Sequence, residues 1–182
     1  GYTKDGFSLP YQYSFAISGL LFAITGIYML RKILLEYFDE LTTSLSIILV
    51  VAGTNYFQLT AFEGMLTHNY LFTLYTFIIW FTIKWHQQPK AIYASAVGLF
   101  MGLAILTRPS ELVCLVIPLI WGIYDINSFV TKWKTVASHW THLIWLALAL
   151  FLAGLPQLIY WKIVTGQWVY YSYDNPGEGF DF

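Results

Sequence analysis

Long charge-free runs of apolar residues constrain this chain more than any other feature of its sequence. Such a run can cross a bilayer as a helix, because a helix closes its backbone hydrogen bonds internally and about 20 residues cover about 30 Å of hydrocarbon. The runs that hold no Asp, Glu, Lys or Arg are residues 11–30, 41–62, 64–83, 91–107, 112–124 and 135–161. They predict an all-α, polytopic transmembrane helix bundle with about six spans.

The fourth and fifth runs form one apolar block, residues 91–124, interrupted only by Arg-Pro-Ser-Glu at 108–111. Because the residue before a proline avoids the α-helical region, the sequence predicts a tight hairpin between two short spans. The alternative is one long kinked helix, although the block far exceeds the length that a bilayer requires.

Composition supports a membrane protein and excludes several other classes. Hydrophobic residues make up 58% of the chain and charged residues 10%, whereas soluble domains carry about 25% charged residues. The nine basic and ten acidic residues form no basic cluster, which argues against a nucleic-acid partner. The single cysteine, Cys114, excludes an internal disulfide framework and supplies too few thiolates for a structural zinc or iron–sulfur site.

The ends of the sequence predict a piece of a larger protein. The chain begins at Gly1 without an initiator Met or a signal-peptide pattern, and it stops at Phe182 within a glycine- and aromatic-rich stretch. We therefore expect residues 1–182 to be a single transmembrane domain of a longer multi-pass protein. Residues 164–182 are expected to begin an outer loop.

The distribution of cations predicts an orientation. When the loops are alternated between the two sides, six Lys and Arg residues fall on one side and three on the other, and the positive-inside rule makes the richer side cytoplasmic. Both ends of this chain then face outward. The predicted cytoplasmic cations are Arg31, Lys32, Lys84, Lys90, Lys132 and Lys134, and the predicted outer ones are Lys4, Arg108 and Lys162.

Polar residues at the predicted outer ends of several helices form a candidate site. Ionisable groups that border membrane spans are costly and tend to line cavities or pathways, so we predict a shared polar chamber. The alternative is that each is an interfacial residue reaching for water. The candidate residues are Glu63, His68, Asn69, Arg108, Glu111 and Lys162.

Arg108 is the most suggestive of these residues. The guanidinium fork suits a phosphate or a carboxylate, and a lipid phosphate would lie at this depth. The alternative is a local ion pair between Arg108 and Glu111. His68 is a candidate metal ligand or proton carrier, or else a hydrogen-bonded interfacial residue.

Three further features lead to weaker predictions. In the tail, aromatic rings beside carboxylates suit a sugar or acceptor, or else the tail caps the bundle; the residues concerned are Tyr173, Asp174 and Glu178. Gly98 and Gly102 form a GxxxG pattern, which we interpret as helix packing within the bundle. The predicted cytoplasmic histidines, interpreted as interfacial or loop residues, are His86, His139 and His142.

Several segments resemble a known family. GLAILTRPSELVCLVIPLIWG at 102–122 is similar to a segment of the integral-membrane GT-C glycosyltransferases, the superfamily of protein O-mannosyltransferases and lipid A aminoarabinose transferases. THNYLF at 67–72, the outer segment of the preceding hydrophobic hairpin, is part of the same resemblance. The tail, PQLIYWKIVTGQWVYYSY followed by GEGFDF, resembles bacterial family-39-type members.

The resemblance implies an enzyme that transfers a sugar from a polyprenyl-phosphate-linked donor to an acceptor at the outer face of the bacterial inner membrane. Arg108 matches the basic residue of the family's LT-[RK] segment, which implies that it holds the donor phosphate. The family often has an acidic residue where this chain has His68 and Asn69. These motifs identify no particular cofactor, and a divalent metal is a candidate.

The family's catalytic Asp lies in a first outer loop, after a span that precedes the residues of this chain. We therefore expect that Asp outside this sequence, assign no catalytic role to Asp5, and expect the chain alone to be inactive. The competing classes are a multi-pass transporter or flippase-like protein and a non-catalytic membrane scaffold. Transporters usually show repeated halves and polar groups at the midplane, and this sequence has no internal repeat. A scaffold predicts that Arg108, Glu63 and His68 scatter in space, whereas an enzyme predicts that they converge with residues 174–181.

Overall fold

The computed structural model describes residues 6–62 and 66–170, and within them all regular structure is helical, which confirms the all-α class for this part of the chain. The elements in chain order are α1 (Leu9–Leu34), α2 (Glu40–Gly53), α3 (Tyr56–Ala61), α4 (Thr67–Gln87), α5 (Ala91–Thr107), the 3₁₀ helix η1 (Pro109–Leu115), α6 (Val116–Ile120), α7 (Ile126–Ser138) and α8 (Trp140–Thr165).

Two of the described helices, α1 and α8, are long and apolar enough to cross a membrane, by length and composition. Each has 26 residues, a length of about 39 Å at 1.5 Å per residue. Both leave large apolar side chains exposed, among them Leu21 and Ile24 on α1 and Phe151 and Leu152 on α8. These two helices support membrane association. The other predicted spans correspond to shorter or less apolar helical segments.

Four helices pack side by side in the order α1, α4, α5, α8. α1 and α4 run in the same direction, and the hydroxyl of Thr73 donates a 2.6 Å hydrogen bond to the carbonyl of Phe22 across their contact. α5 runs antiparallel to α4, and the rings of Phe77 and Phe100 stack between them with centroids 4.4 Å apart. Buried Ile78 and Met101 lie in the core of the bundle.

Gly98 and Gly102 form the contact between α5 and α8. A Cβ at Gly98 would collide with the backbone of Leu146, and one at Gly102 would lie 2.6 Å from the Cβ of Ala153. Only glycine therefore permits this approach of the two helices. The prediction that the GxxxG pattern serves packing within the bundle is confirmed.

The second charge-free run, residues 41–62, forms two helices rather than one span-length helix. α2 ends at Gly53, and Thr54 adopts an extended conformation with φ −124° and ψ 176°. The Thr54 hydroxyl donates to the carbonyl of Val50 and accepts from the backbone N–H of Tyr56. Local side-chain hydrogen bonds of this kind compete with the helical ladder, which explains the break.

The apolar block at 91–124 reverses direction at Arg108, as the hairpin interpretation requires. Arg108 is extended, with φ −148° and ψ 124°, and Pro109 begins η1. The returning segment follows α4, since Glu111 contacts Tyr75 and Gly122 lies against the ring of His86. A single kinked helix is therefore excluded. The returning limb is a 3₁₀ helix followed by a short α-helix.

The segment INSFVTKWKT at 126–135, whose charged residues indicate a cytoplasmic loop, is helical and forms most of α7. Asp125 caps this helix, accepting a 2.7 Å hydrogen bond from the N–H of Ser128, whose hydroxyl in turn accepts from the N–H of Asp125. Such a reciprocal capping box stabilises a helix start. The final apolar run accordingly divides between α7, which ends at Ser138, and α8, which begins at Trp140.

These contacts give the bundle two distinct ends. α1 and α4 begin at the end where α5 and α8 finish, which we call the Arg108 end. The opposite end, the His142 end, contains the Lys84–Glu36 ion pair and the hydrogen bond between Trp85 and His142. The described segments predicted to face outward lie at the Arg108 end, and those predicted to be cytoplasmic lie at the His142 end.

Candidate functional site

Arg108 lies at the turn between α5 and η1 and is half-buried. Its backbone N–H donates to the carbonyl of Ala104. Across residues 6–62 and 66–170, the ion pairs are Arg31 with Glu40 and Lys84 with Glu36, so the Arg108 guanidinium has no carboxylate partner there. The alternative of an ion pair with Glu111 is therefore not formed.

Glu111 instead binds α4. Its Oε2 accepts a 2.5 Å hydrogen bond from the hydroxyl of Tyr75, and its backbone N–H donates to the carbonyl of Arg108 at 2.9 Å. The side chain is half-buried. Glu111 thus fixes the start of η1 against α4 and fixes the backbone of Arg108 at the same time.

Asn69 and His68 occupy different environments, although they are adjacent in sequence. Asn69 is 1% exposed, and its Nδ2 donates to the carbonyl of Leu59 while its Oδ1 accepts from the hydroxyl of Thr60, each at 3.2 Å. Asn69 therefore attaches α3 to α4. His68 is exposed at the first turn of α4. Tyr75, the partner of Glu111, lies seven residues after His68 on α4, about 10.5 Å along the helix axis.

Lys162, near the end of α8, donates a 2.7 Å hydrogen bond from its Nζ to the carbonyl of Gly166. The remaining candidate residues lie outside the residues that the structure describes. They are Glu63, Tyr173, Asp174 and Glu178. Their convergence with Arg108 stays a prediction.

An apolar groove of about 430 Å³ lies between α1, α4 and α5, and we call it the α1–α4–α5 groove. Its walls include Phe22, Phe77 and Phe100, and Leu106 and Thr107 border it immediately before Arg108. The threonine hydroxyls in its walls, those of Thr25, Thr73 and Thr107, donate to main-chain carbonyls, and the hydroxyl of Tyr70 donates to that of Ser18. The surface that the groove offers to a ligand is therefore mainly hydrocarbon.

A second cavity, of about 380 Å³, lies near the His142 end between α4, α5, η1, α6, α7 and α8. Sequence reasoning missed it, because its walls come from six separate elements. The only signal was the spacing of Thr82 and His86, which places both side chains on one face of α4. We call it the Thr82 cavity; its other polar wall residues are Lys132 and His142.

Lys132 is buried in the wall of the Thr82 cavity. Its Nζ donates to the carbonyl of Pro118 at 2.7 Å and to that of Trp121 at 2.6 Å, which ties α7 to the end of α6. Burial lowers the pKa of Lys132 from its ordinary value. The imidazole of His142 accepts a 3.1 Å hydrogen bond from the indole of Trp85, so this histidine joins α8 to α4.

Metal binding finds no support in the described part of the chain, where no three His, Cys, Asp or Glu residues cluster. Cys114 is a buried free thiol. No protein family, curated protein or solved structure matches this sequence.

Proposed function

We propose that this chain is the membrane part of a GT-C-type glycosyltransferase that transfers a sugar from a polyprenyl-phosphate-linked donor to an acceptor at the outer face of the bacterial inner membrane. The observation that carries this proposal is the juxtaposition of Arg108 with the α1–α4–α5 groove. Arg108 has no anionic partner among the described residues and directly follows Thr107, which borders the groove.

The charge on Arg108 favours an anionic ligand. A half-buried cation is partly desolvated, and an anion in contact with it offsets that cost. The planar fork of the guanidinium matches the oxygens of a phosphate, and it stays charged at every physiological pH. Because Glu111 is hydrogen-bonded to Tyr75, the nearest acidic residue in the sequence does not neutralise Arg108.

The groove favours a hydrocarbon chain attached to that phosphate. Its volume of about 430 Å³ falls within the usual range of ligand sites, about 300 to 1,000 Å³. The hydroxyls of Thr25, Thr73 and Thr107 donate to the main chain, and that of Tyr70 donates to Ser18. No hydroxyl in the walls therefore requires a hydrogen bond from a ligand. A polyprenyl chain is apolar throughout and satisfies this requirement.

The proposed reaction is a displacement at the sugar, with the donor phosphate bound by Arg108. An acceptor nucleophile forms a bond to the anomeric carbon of the sugar while the bond from that carbon to the phosphate oxygen breaks, with inversion. The departing phosphate keeps the bonding electron pair, and Arg108 stabilises its growing negative charge. A carboxylate base that we expect elsewhere in the parent protein takes the acceptor proton.

Six membrane spans and an outward-facing Arg108 end complete the proposal. In this proposal α1, α4, α5 and α8 each cross the membrane once. The α2–α3 pair forms a fifth span, and the η1–α6 pair forms the sixth. The many exposed apolar side chains of these helices would contact lipid. The described Lys and Arg residues are concentrated at the His142 end, which supports its placement on the cytoplasmic side.

The test is donor cleavage by the full-length parent protein in nanodiscs. Purified protein is incubated with a panel of polyprenyl-phosphate sugars, and the released polyprenyl phosphate is quantified by mass spectrometry. Arg108→Ala is assayed beside Arg31→Ala, which removes the other arginine of the chain. Release that depends on Arg108 and not on Arg31 supports the proposal. A folded protein that cleaves no donor would favour the transporter or scaffold classes.

A further inference from the structure

Thr82 and His86 lie one helical turn apart on α4, and each has a buried polar side-chain atom without a hydrogen-bond partner in the described part of the chain. Thr82 is 1% exposed, and its hydroxyl has no hydrogen-bond partner among the residues that the structure describes. The same holds for Nε2 of His86, which is buried within that part of the chain. Unpaired buried polar atoms are uncommon in folded proteins and require an explanation.

The tautomer of His86 follows from its other nitrogen. Nδ1 lies 2.8 Å from the main-chain carbonyl of Thr82. A carbonyl oxygen only accepts, so Nδ1 carries the proton and, in the neutral ring, Nε2 is left as an acceptor. Thr82 offers a hydroxyl that can donate. One acceptor and one donor therefore lie side by side on the same face of the helix.

Both residues line the Thr82 cavity, whose other walls are mostly apolar. Its apolar lining residues include Ala94, Val97, Met101, Leu143 and Leu146. A water molecule occupies about 30 Å³ in the liquid, so a volume of about 380 Å³ exceeds what one water bridging the two polar atoms would fill. The remaining space suits hydrocarbon.

We propose that the Thr82 cavity binds an apolar ligand that ends in a hydroxyl group. The ligand's O–H donates to Nε2 of His86, its oxygen accepts from the hydroxyl of Thr82, and its hydrocarbon body contacts the apolar walls. This proposal is independent of the proposed donor site, which involves the α1–α4–α5 groove and the opposite end of the bundle.

Other head groups fit this arrangement less well. A carboxylate would gain from the cation of Lys132, but it would place its lone pairs against the lone pair of Nε2 in the neutral His86 ring. An ammonium group would enter a cavity whose wall contains the cation of Lys132, which no carboxylate neutralises in the described part of the chain. A neutral alcohol both donates and accepts, and it avoids both conflicts.

The test uses two fluorinated probes that differ by one hydroxyl, 4-fluorobenzyl alcohol and 4-fluorotoluene. Binding to the full-length protein in nanodiscs is followed by ¹⁹F NMR. Thr82→Val is nearly isosteric and removes a hydroxyl without a partner, so it should fold. The matched control is Thr76→Val on the same helix, because the Thr76 hydroxyl donates to the carbonyl of Thr73 and Thr76 is not in the cavity wall.

We expect wild-type protein to prefer the alcohol over the toluene by more than the roughly five- to tenfold that one hydrogen bond contributes, since the hydroxyl makes two. Thr82→Val should reduce this preference by about five- to tenfold and leave the bond to His86, and Thr76→Val should keep the full preference. Equal affinity of wild-type protein for the two probes would overturn the proposal, as would a preference that is unchanged in Thr82→Val.

A competition experiment identifies the source of the natural ligand. Displacement of the fluorinated alcohol by 1-dodecanol mixed into the nanodisc lipid assigns the site to a membrane alcohol. Displacement by benzyl alcohol from the aqueous phase alone assigns it to a water-soluble one. Failure of both competitors to displace the probe would contradict a specific alcohol site.

Discussion

The hydroxyl of Tyr75 donates a 2.5 Å hydrogen bond to the carboxylate of Glu111, joining α4 to the turn that carries Arg108. Tyr75→Phe should therefore destabilise the protein by about 1 to 3 kcal/mol, because the half-buried carboxylate loses a donor. Thermal unfolding in detergent measures the loss. In the double variant with Glu111→Gln the two effects should be non-additive, and strict additivity would show that the residues are not coupled.

Arg108→Ala should lower donor cleavage by about 10²- to 10³-fold, the cost of removing one group that stabilises developing charge. Folding should be retained, since the described contacts of Arg108 involve its backbone. The readout is the initial rate of polyprenyl phosphate release. Arg108→Lys should recover part of the rate. Wild-type turnover by Arg108→Ala would exclude a phosphate-binding role.

Gly98→Ala should destabilise the bundle by about 1 to 3 kcal/mol or more, because the added methyl collides with the backbone of Leu146. Gly154 on α8 provides the matched control, since a Cβ there meets nothing within 4 Å. Gly154→Ala should be neutral or stabilising by up to about 1 kcal/mol, as expected for glycine replaced within a helix. Equal unfolding temperatures for the two variants would contradict the close contact of α5 with α8.

Asn69→Leu should loosen α3 by removing the hydrogen bonds to Leu59 and Thr60. An unpaired buried carbonyl costs about 1 to 3 kcal/mol, so amide exchange over residues 56–61 should accelerate. The exposed neighbour His68 supplies the control, and His68→Ala should leave exchange unchanged. Protection of α3 in Asn69→Leu equal to that of wild type would refute the anchoring role.

Lowering the pH should destabilise the His142 end of the bundle, because it protonates Glu36. Hydrogen bonds from Lys84 at 2.7 Å and from Gln87 at 2.9 Å hold the pKa of Glu36 below its ordinary value of 4.5. A carboxyl with a lowered pKa in the folded state stabilises the fold above pH 4.5, and that contribution is lost as the pH falls through the lowered value. The effect should be about 1 kcal/mol or less, given the partial exposure of the pair.

Unfolding temperatures measured at pH 3 to 7 test this pH dependence. Glu36→Gln should reduce the loss of stability at the acid end of the series. A pH profile identical to that of the wild type would show that the Lys84 pair contributes nothing.

The sequence predicted the elements whose boundaries are set by local chemistry. Lys90 and Arg108 flank the fourth run, and α5 spans the same residues, 91–107. Pro109 predicted the reversal, and the glycines of the GxxxG pattern predicted close helix packing. Each of these signals acts through the backbone of the residue itself or of its immediate neighbours.

The sequence did not predict other features of the fold, because they depend on contacts between elements or on weaker local signals. The break at Thr54 rests on a hydroxyl that binds the main chain in competition with the helix. α7 was visible as apolar residues at helical spacing, Ile126, Phe129, Val130 and Trp133, but the charges of Lys132 and Lys134 suggested a loop. The roles of Asn69 and Glu111 require partners on other elements, and no local pattern specifies those partners.

The order of the helices in the row is also their order along the chain. α4 packs on α1, α5 on α4, and α8 on α5. Each of these helices therefore packs on a helix that is synthesised before it. The bundle can thus be assembled during synthesis without waiting for distant segments. A nascent chain halted before α8 would leave the Gly98–Gly102 face of α5 uncovered.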